Sequence, residues 1–208
     1  MAKKNKKTNE EIIKTKTESI MNIVAFRASY YRANPQRFVE EFMGIHLKLF
    51  QKILLWAMMK YDAFYFIACR GIGKTFLVAL FSCVRCILYP GTKCIVASYT
   101  FKQGKEVVLK ITDDFMIHSP LLRNEILKTS TSLSECAVYF KNGSFIRVVV
   151  AGESSRGVRS NILVIDESRM VKQKIVDTVL RPMNASPRQP GYLRKPEYKH
   201  LQEMNKEM

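Results

Sequence analysis

The sequence predicts an α/β fold: a parallel sheet flanked by helices, preceded by an N-terminal helical segment. Three observations predict it. Short apolar runs at Ala63–Ala68, Cys94–Ser98 and Ile162–Ile165 read as buried parallel strands. Longer stretches with helix-like apolar spacing alternate with them, which implies a sheet covered on both faces. A glycine-containing turn joins the first run to the helix after it.

The chain has 208 residues, enough for one domain or one with a small appendage. Hydrophobic residues make up 47% and charged residues 25%, the composition of a globular chain. No apolar run reaches the ~18 residues of a membrane span; the richest stretch, Phe76 to Tyr89, is broken by Arg85. The basic N-terminus lacks an apolar core and a small-residue cleavage site, so it is not a secretory signal. Five cysteines without framework spacing indicate reduced thiols in a cytoplasm-like compartment. Lys and Arg number 34 against 18 Asp and Glu, a formal charge of +16. That surplus favours a polyanionic partner, of which nucleic acid is the usual one. Solubility charge plus a basic tail is the alternative, but basic residues continue along the whole chain.

Residues 1–10 read as a solvated, disordered basic tail. From Glu11 to Ala33, Ile12, Ile13, Ile20, Ile23, Val24 and Phe26 recur at helical spacing. Asn34-Pro35 is a start signal, with Asn as N-cap and Pro in the first turn; the short helix it opens stops near Gly44. A third helix runs from Leu47 to Lys60. Residues 11–60 therefore form a helical segment and 61–208 the α/β core. Within that core, helices are expected over Lys74–Leu88, Phe101–Phe115 and Val171–Leu180. Asn142-Gly143 between two apolar runs signals a hairpin whose turn residues both tolerate positive φ. A Pro-rich loop (Pro182, Pro187, Pro190) and a polar helical end follow.

The segment Ala68-Cys69-Arg70-Gly71-Ile72-Gly73-Lys74-Thr75 lies between an expected strand and an expected helix, the setting of a P-loop. Glycines let the backbone approach a phosphate. Amides at a helix N-terminus point at the anion, and the helix dipole favours it. Lys74 supplies positive charge to the β- and γ-phosphates of ATP, and the Thr75 hydroxyl can ligate Mg²⁺. The usual first glycine is Ala68 here. Backbone and side chains of Arg70, Gly71, Ile72, Gly73, Lys74, Thr75 and Phe76 are thus candidate nucleotide contacts.

The run Ile162–Ile165 ends in Asp166-Glu167. Side chains at the carboxyl end of a parallel strand face the ligand crevice. Asp166 there would hold the Mg²⁺ shell, and Glu167 would orient or deprotonate the attacking water. An adjacent acid of this kind favours ATP hydrolysis over phosphoryl transfer to a small molecule. Arg70 has two readings: it neutralises charge developing on the γ-phosphate, or it pairs with an acid such as Glu167 and shapes the loop. Arg156 senses phosphate, faces DNA, or is a solvated loop arginine. Gln51 could read the adenine edge, since its amide both donates and accepts, or it is helix surface. Cys83 and Cys86 lack a second ligand pair at zinc spacing and read as core. Lys102, Lys105 and Lys110 form either a face for a nucleic-acid backbone or a solvated helix face.

Gln51, the Arg-containing loop Cys69–Thr75, the strand ending Ala97-Ser98, the turn Asn142-Gly143-Ser144, the loop Ser155-Arg156-Gly157 and Asp166-Glu167 occur in this order. Together they resemble the ATPase domain of the large terminase subunit of tailed bacteriophages, from about Asn22 to near the C-terminus. The resemblance implies a P-loop NTPase of the additional-strand type, driving double-stranded DNA into a capsid at the expense of ATP and Mg²⁺. It adds weight to Gln51 as an adenine contact and to Arg70 or Arg156 as stabilisers of phosphate charge. It implies double-stranded DNA, a portal protein and a small terminase subunit as partners, a homo-oligomeric ring, no membrane, and action in the host cytoplasm.

The chain departs from that family after Glu167. In the family a strand following the acids inserts between the P-loop strand and the Asp-Glu strand, and a nuclease domain lies beyond. Here neither a further buried strand nor a nuclease acid cluster is legible. The expectation is therefore an incomplete core: a natural truncation, a split gene or a fragment. Two alternatives stand beside the motor. One is another P-loop translocase such as a helicase, which needs motifs and a second motor domain that this length excludes. The other is a non-catalytic nucleotide- and DNA-binding module.

Overall fold

The computed structural model describes residues 9–69, 71–186 and 188. Expectations for residues 1–8, Arg70, Pro187, Pro190 and the polar helical end lie outside the described residues. Three helices lead: α1 (Asn9–Ala33), α2 (Pro35–Glu41) and α3 (Leu49–Lys60). Then come α4 (Lys74–Leu88), β1 (Lys93–Ser98) and α5 (Phe101–Lys110). α5 runs on through a π-helical turn, Ile111–Phe115, into α6 (Met116–His118). α7 (Pro120–Glu125) precedes β2 (Ile126–Thr131), β3 (Cys136–Phe140) and β4 (Phe145–Val150). β5 (Ile162–Ile165) is followed by a 3-10 turn at Ser168–Met170, by α8 (Gln173–Ile175), by a π turn, Val176–Leu180, and by α9 (Arg181–Met183). No described helix is long and apolar enough to cross a membrane.

The sheet order is β2-β3-β4-β1-β5. β1 pairs parallel with both β4 and β5, while β3 pairs antiparallel with β2 and β4. The sheet is thus mixed rather than wholly parallel, because the Asn142-Gly143 hairpin builds one half of it. Strand alternation divides the core. Cys94, Val96, Ile146 and Val148 face the buried side chains of α2, α4 and α5. Ile95, Ala97, Leu163 and Ile165 face Val171, Val179, Leu180 and Met183. Both faces are covered, as the strand–helix alternation implies.

α4 is apolar around nearly its whole circumference, with Leu77, Leu80, Val84, Cys83 and Cys86 all buried. A helix so enclosed must find partners for its last carbonyls. Asn142 Nδ2 donates to Cys86 O at 2.8 Å, and the Arg32 guanidinium donates to Leu88 O at 2.8 and 2.9 Å. The hairpin turn is therefore also the C-terminal cap of α4. Only Gly143 takes positive φ there (82°). Asn142 stays out of the left-handed region because its Oδ1 accepts the Ser144 N–H instead, at 3.0 Å.

Two further expectations are corrected. Asn34 precedes α2, but its Nδ2 donates back to Tyr30 O at the end of α1 and caps no amide of α2. Ala63–Ala68 is not a strand. Among the described residues nothing pairs with it, and Tyr65 and Ile67 are 73% and 81% exposed. An apolar run becomes a strand only where a ladder partner satisfies its N–H and C=O groups. The outer edge of β5 is bare among the described residues, and no described strand follows Glu167. The apolar residues Ile20, Ile23, Val24 and Phe26 of α1 are exposed as well.

Candidate nucleotide site

The loop before α4 turns on two glycines, Gly71 at φ 84° and Gly73 at φ 92°. Only glycine enters that region without a steric cost, so these two positions set the bend of the loop. Gly73 is the N-cap of α4, so the first amides of a fifteen-residue helix open onto the loop. Lys74 begins that helix and folds its ammonium back over the loop, donating to Ala68 O at 3.2 Å and Cys69 O at 3.4 Å. These weak backbone contacts give the charge a resting place that an incoming phosphate can outcompete.

Opposite stands the end of β5. The Asp166 N–H donates to Ala97 O at 2.9 Å, which extends the ladder with β1 by one residue. Asp166 Oδ1 accepts the Glu167 N–H at 3.0 Å. Burial pushes the Asp166 carboxyl up, the Glu167 amide pulls it down, the Glu167 charge raises it and the Lys74 ammonium lowers it. The charge of the loop lysine is thus felt at the aspartate of β5. Glu167 is the sole described non-glycine residue with positive φ (50°, ψ 46°). That conformation costs a residue with a Cβ about 1 kcal/mol and turns the chain sharply into the 3-10 turn. Among the described residues no cluster of three or more His, Cys, Asp or Glu forms a metal cage. A carboxylate such as Asp166 and a hydroxyl such as Thr75 would suit a cation that takes its other ligands from phosphate and water.

Thr75 lines a shallow cleft with Glu106, Leu109, Lys110, Asp113 and Asp114. The sequence reading missed the acids of this cleft, since they carry no motif of their own. Lys110 pairs with Asp114 at 2.9 Å, so one of the three lysines read as a basic face is neutralised within its own helix. Phe76 turns inward, its ring edge-on to Phe115 at 5.3 Å between centroids. Gln51 has a structural duty: its Oε1 accepts the Lys48 N–H at 2.9 Å at the start of α3. Its Nε2 reaches the loop, 4.0 Å from where a Cβ on Gly73 would lie. Gln51 therefore lies beside the glycine turn while it holds the start of α3. Arg156 pairs with Glu153 in the turn after β4 and is well exposed. No described contact links it to Lys74, Asp166 or Glu167. Glu167 pairs with Arg169, Nε to Oε2 at 3.5 Å, a residue the sequence reading passed over.

A scan against protein-family models finds no match, and a search of curated proteins finds none. Solved structures do match. The large terminase ATPase domain of Thermus phage P74-26 aligns with a TM-score of 0.57 at 16% identity, over 72% of this chain and 64% of that one. A point mutant of the same domain gives 0.56 at 15%, over 72% and 65%. The HK97 bacteriophage large terminase gives 0.60 at 16%, over 76% of this chain and 36% of that one. The chain spans less than two thirds of the length of each of these. At such identities the likeness is one of architecture, and the α/β fold of this chain is similar to that of phage large terminase ATPase domains.

Proposed function

We propose that the chain is the ATP-hydrolysing portion of a viral DNA-packaging motor. The observation that supports this reading is Lys74 at the start of α4, on a turn with Gly71 and Gly73 at positive φ, whose charge is felt by Asp166 at the end of β5. Amides of Gly71 to Thr75 would cradle the phosphates of ATP, and Lys74 would leave Ala68 O and Cys69 O for the β- and γ-oxygens. Thr75 and Asp166 are the residues that would hold Mg²⁺, which when bound neutralises phosphate charge. Glu167 would orient or deprotonate the water. Gln51 would meet the base; its Nε2 lies near Gly73 of the loop. Arg70 and Arg156 are the candidate stabilisers of developing charge; Arg156 would first have to leave Glu153. The +16 charge supports double-stranded DNA as the polyanion moved. Portal, small terminase subunit, an oligomeric ring and action in the host cytoplasm follow from the family reading.

The test pairs two variants. Lys74→Ala should abolish ATP binding, and Glu167→Gln should bind ATP and retain it unhydrolysed. Normal hydrolysis by Glu167→Gln would reject the role given to that residue. A second reading, a nucleotide- and DNA-binding module without motor activity, is favoured by Ala63–Ala68, which has no ladder partner among the described residues. It predicts that Lys74→Ala leaves DNA binding intact and that the parent chain shows no DNA-stimulated turnover.

A further inference from the structure

We propose that the bare face of α1 is a docking site for an acidic amphipathic helix of another polypeptide.

α1 is seated in the fold by its last turn. The Tyr31 ring meets Phe38 edge-on at 5.4 Å between centroids, and the Arg32 guanidinium donates to Leu88 O. At 3.6 residues per turn, Lys16, Ile20, Ile23, Val24, Arg27 and Tyr31 fall on one side of the helix, within about 100°. The face that Tyr31 commits to the core thus continues toward the N-terminus, and there it is uncovered. Ile20, Ile23 and Val24 are 59%, 58% and 54% exposed. Contiguous apolar residues left in water mark an interaction surface.

Charge decides what can cover it. Lys16 and Arg27 lie inside this face, not along its borders, about 16 Å apart on the helix axis. Both are exposed, and no ion pair among the described residues involves either. A second copy of α1 would bring like charges together in either orientation. Lys16 would meet Lys16 and Arg27 would meet Arg27 in a parallel pair, and Lys16 would meet Arg27 in an antiparallel one. A membrane surface favours cations that flank an apolar face and reach the headgroups from its edges; here they would be carried into the apolar layer. A nucleic-acid backbone would answer the cations but leave Ile20, Ile23 and Val24 wet. A helix with its own apolar stripe, and an acid opposite each cation, meets both demands.

The probe is a synthetic amphipathic helix about as long as α1, with leucines along one stripe and two glutamates within it, spaced as Lys16 and Arg27 are. Its control carries lysines in place of the glutamates. Titrated into the 208-residue chain, the glutamate helix should bind at least about tenfold more tightly than the lysine helix, and Lys16→Glu/Arg27→Glu should reverse that preference. Ile20→Ala/Ile23→Ala, which keeps helix propensity high, should weaken the glutamate helix about tenfold or more. Equal binding of the two helices, or no binding of the glutamate helix, would overturn the inference. Self-association of the parent chain that Ile20→Ala/Ile23→Ala abolishes would overturn it in favour of a second copy. Tighter binding to phosphatidylserine vesicles than to the glutamate helix would overturn it in favour of a membrane.

Discussion

Gly104 of α5 lies against Val148 of β4 so closely that a Cβ on the glycine would stand 2.4 Å from Val148 Cγ1 and 2.5 Å from Ser98 Oγ. Helix and sheet touch here backbone to side chain. Gly104→Ala should therefore destabilise the fold by about 1–3 kcal/mol, the usual cost of overpacking, although alanine is the better helix former. Denaturant melts measure this, and a neutral or stabilising result would place α5 farther from the sheet.

Asp166 offers a test through pH. Burial is the largest influence on its carboxyl and raises it. A raised folded value means that ionisation opposes folding. The stability this group contributes is then full below the unfolded carboxylate range and is lost as pH rises through the folded value. Asp166→Asn should accordingly raise Tm at pH 7, with the gain shrinking toward about pH 4, while Mg²⁺-dependent nucleotide binding falls. Melts at the two pH values check the sign; a destabilised variant at pH 7 would contradict it.

Thiol chemistry reports on the loop directly. Cys69 is exposed, while Cys83, Cys86, Cys94 and Cys136 are buried. Burial raises all four, Cys94 to about 11. Among the five cysteines, Cys69 should be the one that reacts quickly with a maleimide in the folded chain. Saturating MgATP should slow that reaction in step with site occupancy. Equal rates with and without nucleotide would put the phosphates elsewhere.

The unpaired run before the loop bears on turnover. Ala63–Ala68 has no ladder partner among the described residues, so one side of the phosphate cradle lacks the support that α4 gives the other. The chain by itself should bind ATP weakly and hydrolyse it slowly. Robust DNA-stimulated turnover in a steady-state phosphate-release assay would refute this.

Much of the fold is legible because its signals are local. The apolar helix signal at Lys74–Leu88, the apolar runs either side of Asn142-Gly143 and the glycines at 71 and 73 each say what they become. Three features were not legible in that way. β2 is an exposed edge strand reading Ile126-Leu-Lys-Thr-Ser-Thr, which owes its shape to β3 rather than to its own apolarity. Ala63–Ala68 carries a strong strand signal, yet strand formation depends on a distant partner. Arg169 belongs to no motif, and only the left-handed turn at Glu167 brings its charge to the carboxylate.

The two ends of α4 differ in how firmly they are tied. Its C-terminal carbonyls are held by Asn142 and Arg32, and its sides are buried, whereas the chain entering its N-terminus is exposed and unladdered. Local opening is cheap where few buried contacts must break. Amide exchange should therefore change abruptly at Gly73: slow through α4, fast through the loop and the run before it. A nucleotide would then bind by ordering the upstream half of its own cradle, so part of the attraction of Lys74 and the loop amides for phosphate is consumed in that ordering. Affinity for a nucleotide would then be set as much by how Ala63–Ala68 is braced as by the residues proposed to touch the phosphates.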